Sequence, residues 1–257
     1  MENKIVRLAV SGTYSSGKTT TTEALSIATG IPRTHAKTSR EILMEDIPGK
    51  QVQDLSAGEL IQLGLRRLEE RIHNEAMQQG SFISDGSVVH EWVYGEARMQ
   101  VGINPSANIV HRVLNEIVGL PVKRFYKAYM NAYGQVVKNR AKRLYDAYVH
   151  LPVEFAMVAD NHRPVSEPFR ALSDEILLKV LDDIEIPYHI VRGTISERVE
   201  QIMDIFKFDV VVPVNEAIDM AKERVAADLA VLEADARHHS KNRDESVIQR
   251  VKYALRY

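Results

Sequence analysis

Gly12-Thr13-Tyr14-Ser15-Ser16-Gly17-Lys18-Thr19 matches the phosphate-binding pattern G-x-x-x-x-G-K-[ST] at every fixed position. Upstream, Ile5-Val6-Arg7-Leu8-Ala9-Val10 is short, apolar and β-branched, and reads as a buried strand. Downstream, Thr19 to Thr29 reads as a helix closed by Gly30, with Pro32 just beyond. Strand, glycine loop and helix in that order is the setting the pattern needs. Gly12 and Gly17 let the backbone curl so that successive N–H groups converge on phosphate oxygens, and the helix N-terminus adds positive potential. The expected contacts run over Gly12, Thr13, Tyr14, Ser15, Ser16, Gly17, Lys18, Thr19 and Thr20. Lys18 is positioned to bridge the outer phosphates of a nucleoside triphosphate, and the Thr19 hydroxyl to ligate the magnesium ion that accompanies them.

Composition narrows the surroundings of this loop. The chain has 257 residues, enough for one large α/β domain or a domain with a modest appendage, and 45% of them are apolar. With 33 basic against 35 acidic side chains, bulk charge gives no reason to expect nucleic acid or a membrane as partner. Cysteine is absent, which excludes disulfides, thiolate metal sites and cysteine nucleophiles. The first strand begins within a few residues of the start, and no apolar run approaches about 18 residues. The expectation is a cytoplasmic protein.

Four further segments read as strands: Arg33 to Lys37 (the weakest), Ser81 to Asp85, Val153 to Asp160 and Pro187 to Arg192. Helical patterns lie between them. Ser56 to Gln79 carries Leu60, Gly64, Leu68, Ile72 and Ala76 at four-residue intervals, Ser173 to Ile184 has an apolar side, and Thr194 to Phe206 opens with a capping-box spacing to Glu197. Strands alternating with helices predict an α/β, three-layer fold, a mostly parallel sheet with helices on both faces. Ligands of such sheets bind at the carboxyl ends of the strands, where the glycine loop, Asp85 and Asp160 fall. The expected division is a core over residues 1–206, with a helical insert at about 90–150 and a lid loop at 160–170, and a helical extension over 207–257.

Pro121 to Tyr145 holds seven Lys/Arg, no acid and five aromatic rings. An amphipathic helix pair with a solvated basic face is the plain reading; a basic wall over an anionic ligand, or a nucleic-acid surface, is the functional one. From Asn215 onward the chain is charged helix, with a break expected near His238-His239-Ser240 that marks a helix end rather than a metal site. Its thin apolar stripe is enough to pack on the body or on a second subunit, so a homodimer through these helices is an open possibility.

Two features point from phosphate binding to phosphoryl transfer. Asp160 to Arg170 follows a predicted strand, contains Pro164 and Pro168, and carries Arg163 and Arg170, which suits a loop whose arginines close over the phosphates. Asp85 ends its strand, where a carboxylate accepts a proton from a substrate hydroxyl, holds the magnesium shell, or caps the next helix. A Ras-type N-K-x-D guanine-reading segment is absent.

The segments GTYSSGKTT, FISDGSVVHEWVYGEAR and ADNHRPVSEPFR together resemble the AAA-type P-loop proteins related to the nicotinamide-riboside kinase domain, and more distantly thymidylate and deoxynucleoside kinases. The resemblance runs from about Lys4 to Phe206. It implies a five-stranded parallel core, magnesium-ATP as donor, and a lid carrying Arg163 and Arg170. It also implies a small-molecule acceptor near Asp85 and Glu91, bordered by Thr38-Ser39-Arg40-Glu41, so that Arg40 and Glu41 join the acceptor site. The strand-end aspartate is followed by Gly86, where thymidylate kinase-like proteins carry an arginine that grips an acceptor phosphate. The expected activity is therefore transfer of the γ-phosphoryl group to a hydroxyl of a nucleoside-like or sugar-like metabolite. A nucleotide-driven regulator and a nucleoside monophosphate kinase stand as alternatives.

Overall fold

The computed structural model describes residues 5–48, 50, 52, 55–101, 120–155 and 167–241. Strand β1 (Arg7–Ser11) leads through the glycine loop into helix α1 (Lys18–Thr29). Then come α2 (Ser39–Asp46), α3 (Ala57–Ala76), β2 (Phe82–Asp85), α4 (Val88–Val101) and α5 (Leu120–Leu144). The chain continues with β3 (Ala147–His150), α6 (Glu167–Ile184), β4 (Tyr188–Ile190), α7 (Ile195–Phe206) and α8 (Val214–Lys241). The four strands lie in the order β2-β1-β3-β4, and every pairing is parallel. Parallel strands need both faces covered, and the side-chain alternation of β1 shows how that happens. Leu8 and Val10 point to one face, with Ala24, Leu25 and Ala28 of α1, Val199 and Ile202 of α7 and Ala217, Ile218 and Ala221 of α8. Ala9 points to the other, with Phe82, Val89 and Val93 of α4, Tyr133 and Val137 of α5 and Leu177 and Leu181 of α6.

The expected strand at Arg33 to Lys37 is reduced to a single bridge, Arg33 to Ile83, beside two backbone hydrogen bonds. Thr34 donates to the Ile83 carbonyl and Ile83 to that of Pro32, each at 2.9 Å. The described sheet is thus four-stranded rather than five-stranded. The second correction concerns the strand expected at Val153 to Asp160. Residues 153–155 are not extended, and 156–160 lie outside the described residues. The strand is instead Ala147–His150, hydrogen-bonded to β1, so the end of the expected helical insert belongs to the central sheet. Only four residues long, and set directly after a 25-residue helix, it leaves too short an apolar run to show period 2.

Two helices are also longer than expected. The basic segment is one helix, α5, rather than a pair, and Gly134 does not break it. A Cβ at Gly134 would stand 2.8 Å from the Trp92 indole nitrogen, so glycine is there to let α5 approach α4. Helix α8 passes through His238-His239-Ser240 without a break.

Candidate active site

The glycine loop has the backbone its sequence requires. Gly12 (φ 145°), Ser15 (φ 56°) and Gly17 (φ 79°) all have positive φ. At Gly12 a Cβ would lie 2.7 Å from the Leu151 carbonyl oxygen, which excludes any other residue. The Ser16 hydroxyl donates to the Thr13 carbonyl at 2.9 Å, and the Lys18 ammonium reaches the same oxygen at 3.4 Å. Thr19, in the first turn of α1, is exposed.

Two fully buried arginines brace the loop from below. Arg198 of α7 donates to the Ser16 carbonyl at 2.6 Å and to the Glu154 carboxylate at 2.8 Å, and it covers the Phe155 ring at 4.6 Å. Arg170 donates to the Phe155 carbonyl at 2.7 Å and to that of Ser15 at 3.4 Å. A charged donor to a carbonyl is among the stronger hydrogen bonds of a folded protein. Arg170 therefore belongs to the first turns of α6 and holds the loop's shape, rather than sitting on an open lid as expected. Arg163 and the lid residues 160–166 lie outside the described residues. Arg198 was not among the sequence candidates, since a helical arginine far along the chain carries no local motif.

Beside the loop stands Asp85. The register places Val10 opposite Asp85, and the Gly86 N–H bonds back to the Val10 carbonyl at 2.9 Å. This sets Asp85 at the end of the strand beside the one that enters the glycine loop, with its carboxylate partly open to solvent. Its charged neighbour is Arg33, at 3.6 Å. Arg33 in turn reaches Glu23 of α1 at 2.9 Å, and Glu23 also meets Arg224 of α8 at 2.9 Å. A run of alternating charges thus links the carboxyl edge of the sheet to the C-terminal helix.

The residues expected to border an acceptor separate. Glu91 is buried and clamped, with Arg67 at 2.7 Å and Arg71 at 3.2 Å. Burial pushes its carboxyl upward, but the charges and hydrogen bonds of Arg67 and Arg71 outweigh that and hold it below the ordinary range. Arg71 also donates to the Asp85 carbonyl at 3.1 Å, so this cluster fixes the turn that presents Asp85. Glu41 is taken up by its own helix: its carboxylate accepts the Thr38 N–H at 2.6 Å while Thr38 caps the Glu41 N–H, a complete capping box. Arg40, one position earlier in α2, is half-buried. The Glu91 carboxylate is thus paired with two arginines, and one oxygen of Glu41 is engaged in its helix cap.

An aromatic group spans the remaining edge. Tyr14 of the loop stacks on Tyr94 of α4 at 4.6 Å, and Phe169 of α6 lies 6.2 Å from each. These rings thereby join the loop, the middle of α4 and the first turn of α6. Among the described residues no cluster of three or more His, Asp or Glu is arranged to hold a metal ion.

The family model described as an AAA domain matches residues 7–198. Among solved structures, deoxyadenosine kinase from M. mycoides with bound dATP aligns with a TM-score of 0.55 at 15% identity, covering 79% of this chain and 99% of that chain. The same kinase with bound dCTP aligns at 0.53 and 13%, with the same coverage. At such identity the likeness is one of fold. A search of curated proteins finds no match.

Proposed function

This chain belongs to the AAA domain family, and from that premise we propose that it is an ATP-dependent kinase for a hydroxyl of a nucleoside or nucleoside-like metabolite. The observation that carries the reading is the register of β1 and β2, with Val10 opposite Asp85. It brings Asp85 to the end of the strand next to the one that leads into the phosphate loop, which supports a carboxylate serving phosphoryl transfer to a hydroxyl there. The fold shared with a deoxyadenosine kinase, over nearly the whole of that enzyme, supports a nucleoside as acceptor.

In this account the loop N–H groups and Lys18 hold the β- and γ-phosphates. Thr19, exposed in the first turn of α1, would hold a magnesium ion, which when bound would neutralise charge on the phosphate oxygens. The acceptor oxygen forms a bond to the γ-phosphorus while the bond to the β–γ bridging oxygen breaks and ADP leaves. Asp85 takes the hydroxyl proton and passes it to solvent. Arg163 supplies the lid charge of the original expectation. Arg170 acts through the Ser15 carbonyl, by fixing the loop, rather than on the phosphates.

The test is a panel of ribo- and deoxyribonucleosides incubated with ATP and magnesium, followed by mass spectrometry for phosphate gain and by ADP release. We expect ADP in step with one phosphorylated nucleoside, and no reaction once magnesium is chelated. Slow ADP release that no nucleoside accelerates contradicts the proposal and favours the regulator.

A further inference from the structure

His90 stands on the first turn of α4, only 2% exposed, wedged between the glycine loop and the Asp85-Gly86-Ser87 turn. Each of its ring nitrogens faces a backbone N–H. The Ser87 N–H points at Nδ1 at 2.9 Å, and the Gly12 N–H points at Nε2 at 3.4 Å. A neutral imidazole has one lone pair and one N–H, so it cannot accept at both nitrogens. The shorter bond decides the tautomer: Nδ1 accepts from Ser87, and the proton sits on Nε2. The Ser87 hydroxyl, 3.1 Å from Nδ1, does not reverse this, because a proton on Nδ1 would collide with the Ser87 N–H. Ionisation does not relieve the conflict either. Burial first, then the charges of Lys18 and Arg71, hold His90 well below its ordinary value, and an imidazolium would face both N–H groups with protons.

Two donors, Nε2–H of His90 and N–H of Gly12, therefore confront each other at the first glycine of the phosphate loop. Unpaired buried donors cost stability unless something supplies lone pairs. We propose that His90 is a catalytic residue that donates its Nε2–H to an oxygen of the terminal phosphoryl group bound at the loop, sharing that oxygen with the Gly12 N–H. His90 thereby distinguishes a triphosphate from a diphosphate and stabilises charge on the group in transfer. This rests on the reading of Gly12–Thr19 as a triphosphate site. Its place is built in. Ser87 fixes the ring through Nδ1, and the Tyr94 ring stands edge-on to it at 6.1 Å.

The test compares the binding of magnesium β,γ-imido-ATP and of magnesium ADP by calorimetry, in the wild type, His90→Leu and His90→Gln. One charge-assisted hydrogen bond predicts that His90→Leu weakens the imido analogue by about 10–100-fold and leaves ADP within about threefold. His90→Gln, which keeps an N–H donor, recovers part of the loss. A second measurement needs only the wild type. The His90 Nε2 and its proton, followed by ¹⁵N-resolved histidine spectra, shift on adding the imido analogue and not on adding ADP. Equal weakening of both nucleotides, or an Nε2 signal indifferent to the analogue, overturns the assignment to His90 alone. A wild type that binds neither nucleotide overturns the triphosphate site itself, and this inference with it.

Discussion

At the scale of single residues, the buried charges around the phosphate loop are its scaffold. Arg198 makes the shortest of these contacts, and its removal takes a charged donor away from the Ser16 carbonyl in the interior. We predict that Arg198→Ala lowers unfolding free energy by roughly 2 kcal/mol and weakens ATP binding, read by urea denaturation and nucleotide titration. Arg198→Lys restores little, because a point charge cannot serve Ser16 and Glu154 in the fork geometry of a guanidinium. Glu91 gives a prediction with a sign in pH. Its folded carboxyl is held below the ordinary value of 4.5, so its stabilisation is present above that pH and is lost as pH falls below it. Glu91→Gln removes the counter-charge that buried Arg71 contacts directly and costs about 3 kcal/mol at pH 7. The gap between wild type and variant should narrow as denaturation is repeated at lower pH. A gap unchanged down to pH 3 would mean that the pair contributes nothing through charge.

Among elements, the helices are the best specified locally. Thr38, Ser56 and Thr194 each cap the N–H of a glutamate three residues on, and each glutamate returns the bond. A single Ser/Thr-x-x-Glu spacing states both halves of that exchange, which is why the start of α7 was legible at Thr194. We predict that Ser56→Ala destabilises the protein by about 1 kcal/mol in thermal or chemical denaturation. An unchanged midpoint would show that α3 is fixed by packing alone. The strands were harder to read, for a physical reason. In β3, Tyr148 and Val149 are buried by opposite faces of the sheet, so the run has no polar alternation, and its four residues are too few to outweigh the helix before it. The same limit applied to Glu41 and Glu91. Their residue types suit ligand contacts, but pairing across 24 positions to Arg67, or into a helix cap, is settled only by the fold.

For the molecule as a whole, the C-terminal helix is part of the core at its beginning. Ala217, Ile218 and Ala221 fill the face formed by Leu25 and Ala28, and Arg224 closes the edge against Glu23. Ala221→Asp, which places a carboxylate among these apolar side chains, should cost more than about 3 kcal/mol and lower the melting temperature by ten degrees or more. Retention of the wild-type melting temperature would mean that α8 leaves this face in solution. The glycine loop, its flanking strand and helix, and the parallel α/β class were legible in the sequence, because each rests on local pattern. The bracing of the loop by Arg170 and Arg198 was not, because it joins residues 155 and 182 positions apart. The central claim is that this sheet edge transfers a phosphoryl group to a nucleoside hydroxyl, and one experiment reaches it most directly. ADP and phosphorylated nucleoside are quantified in the same reaction for the wild type, Lys18→Ala and Asp85→Asn, each shown to be folded. The account predicts equal amounts of the two products with wild type, none with Lys18→Ala, and turnover lowered by about 100-fold or more with Asp85→Asn. Wild-type turnover in both variants, or ADP without a phosphorylated nucleoside, would contradict it.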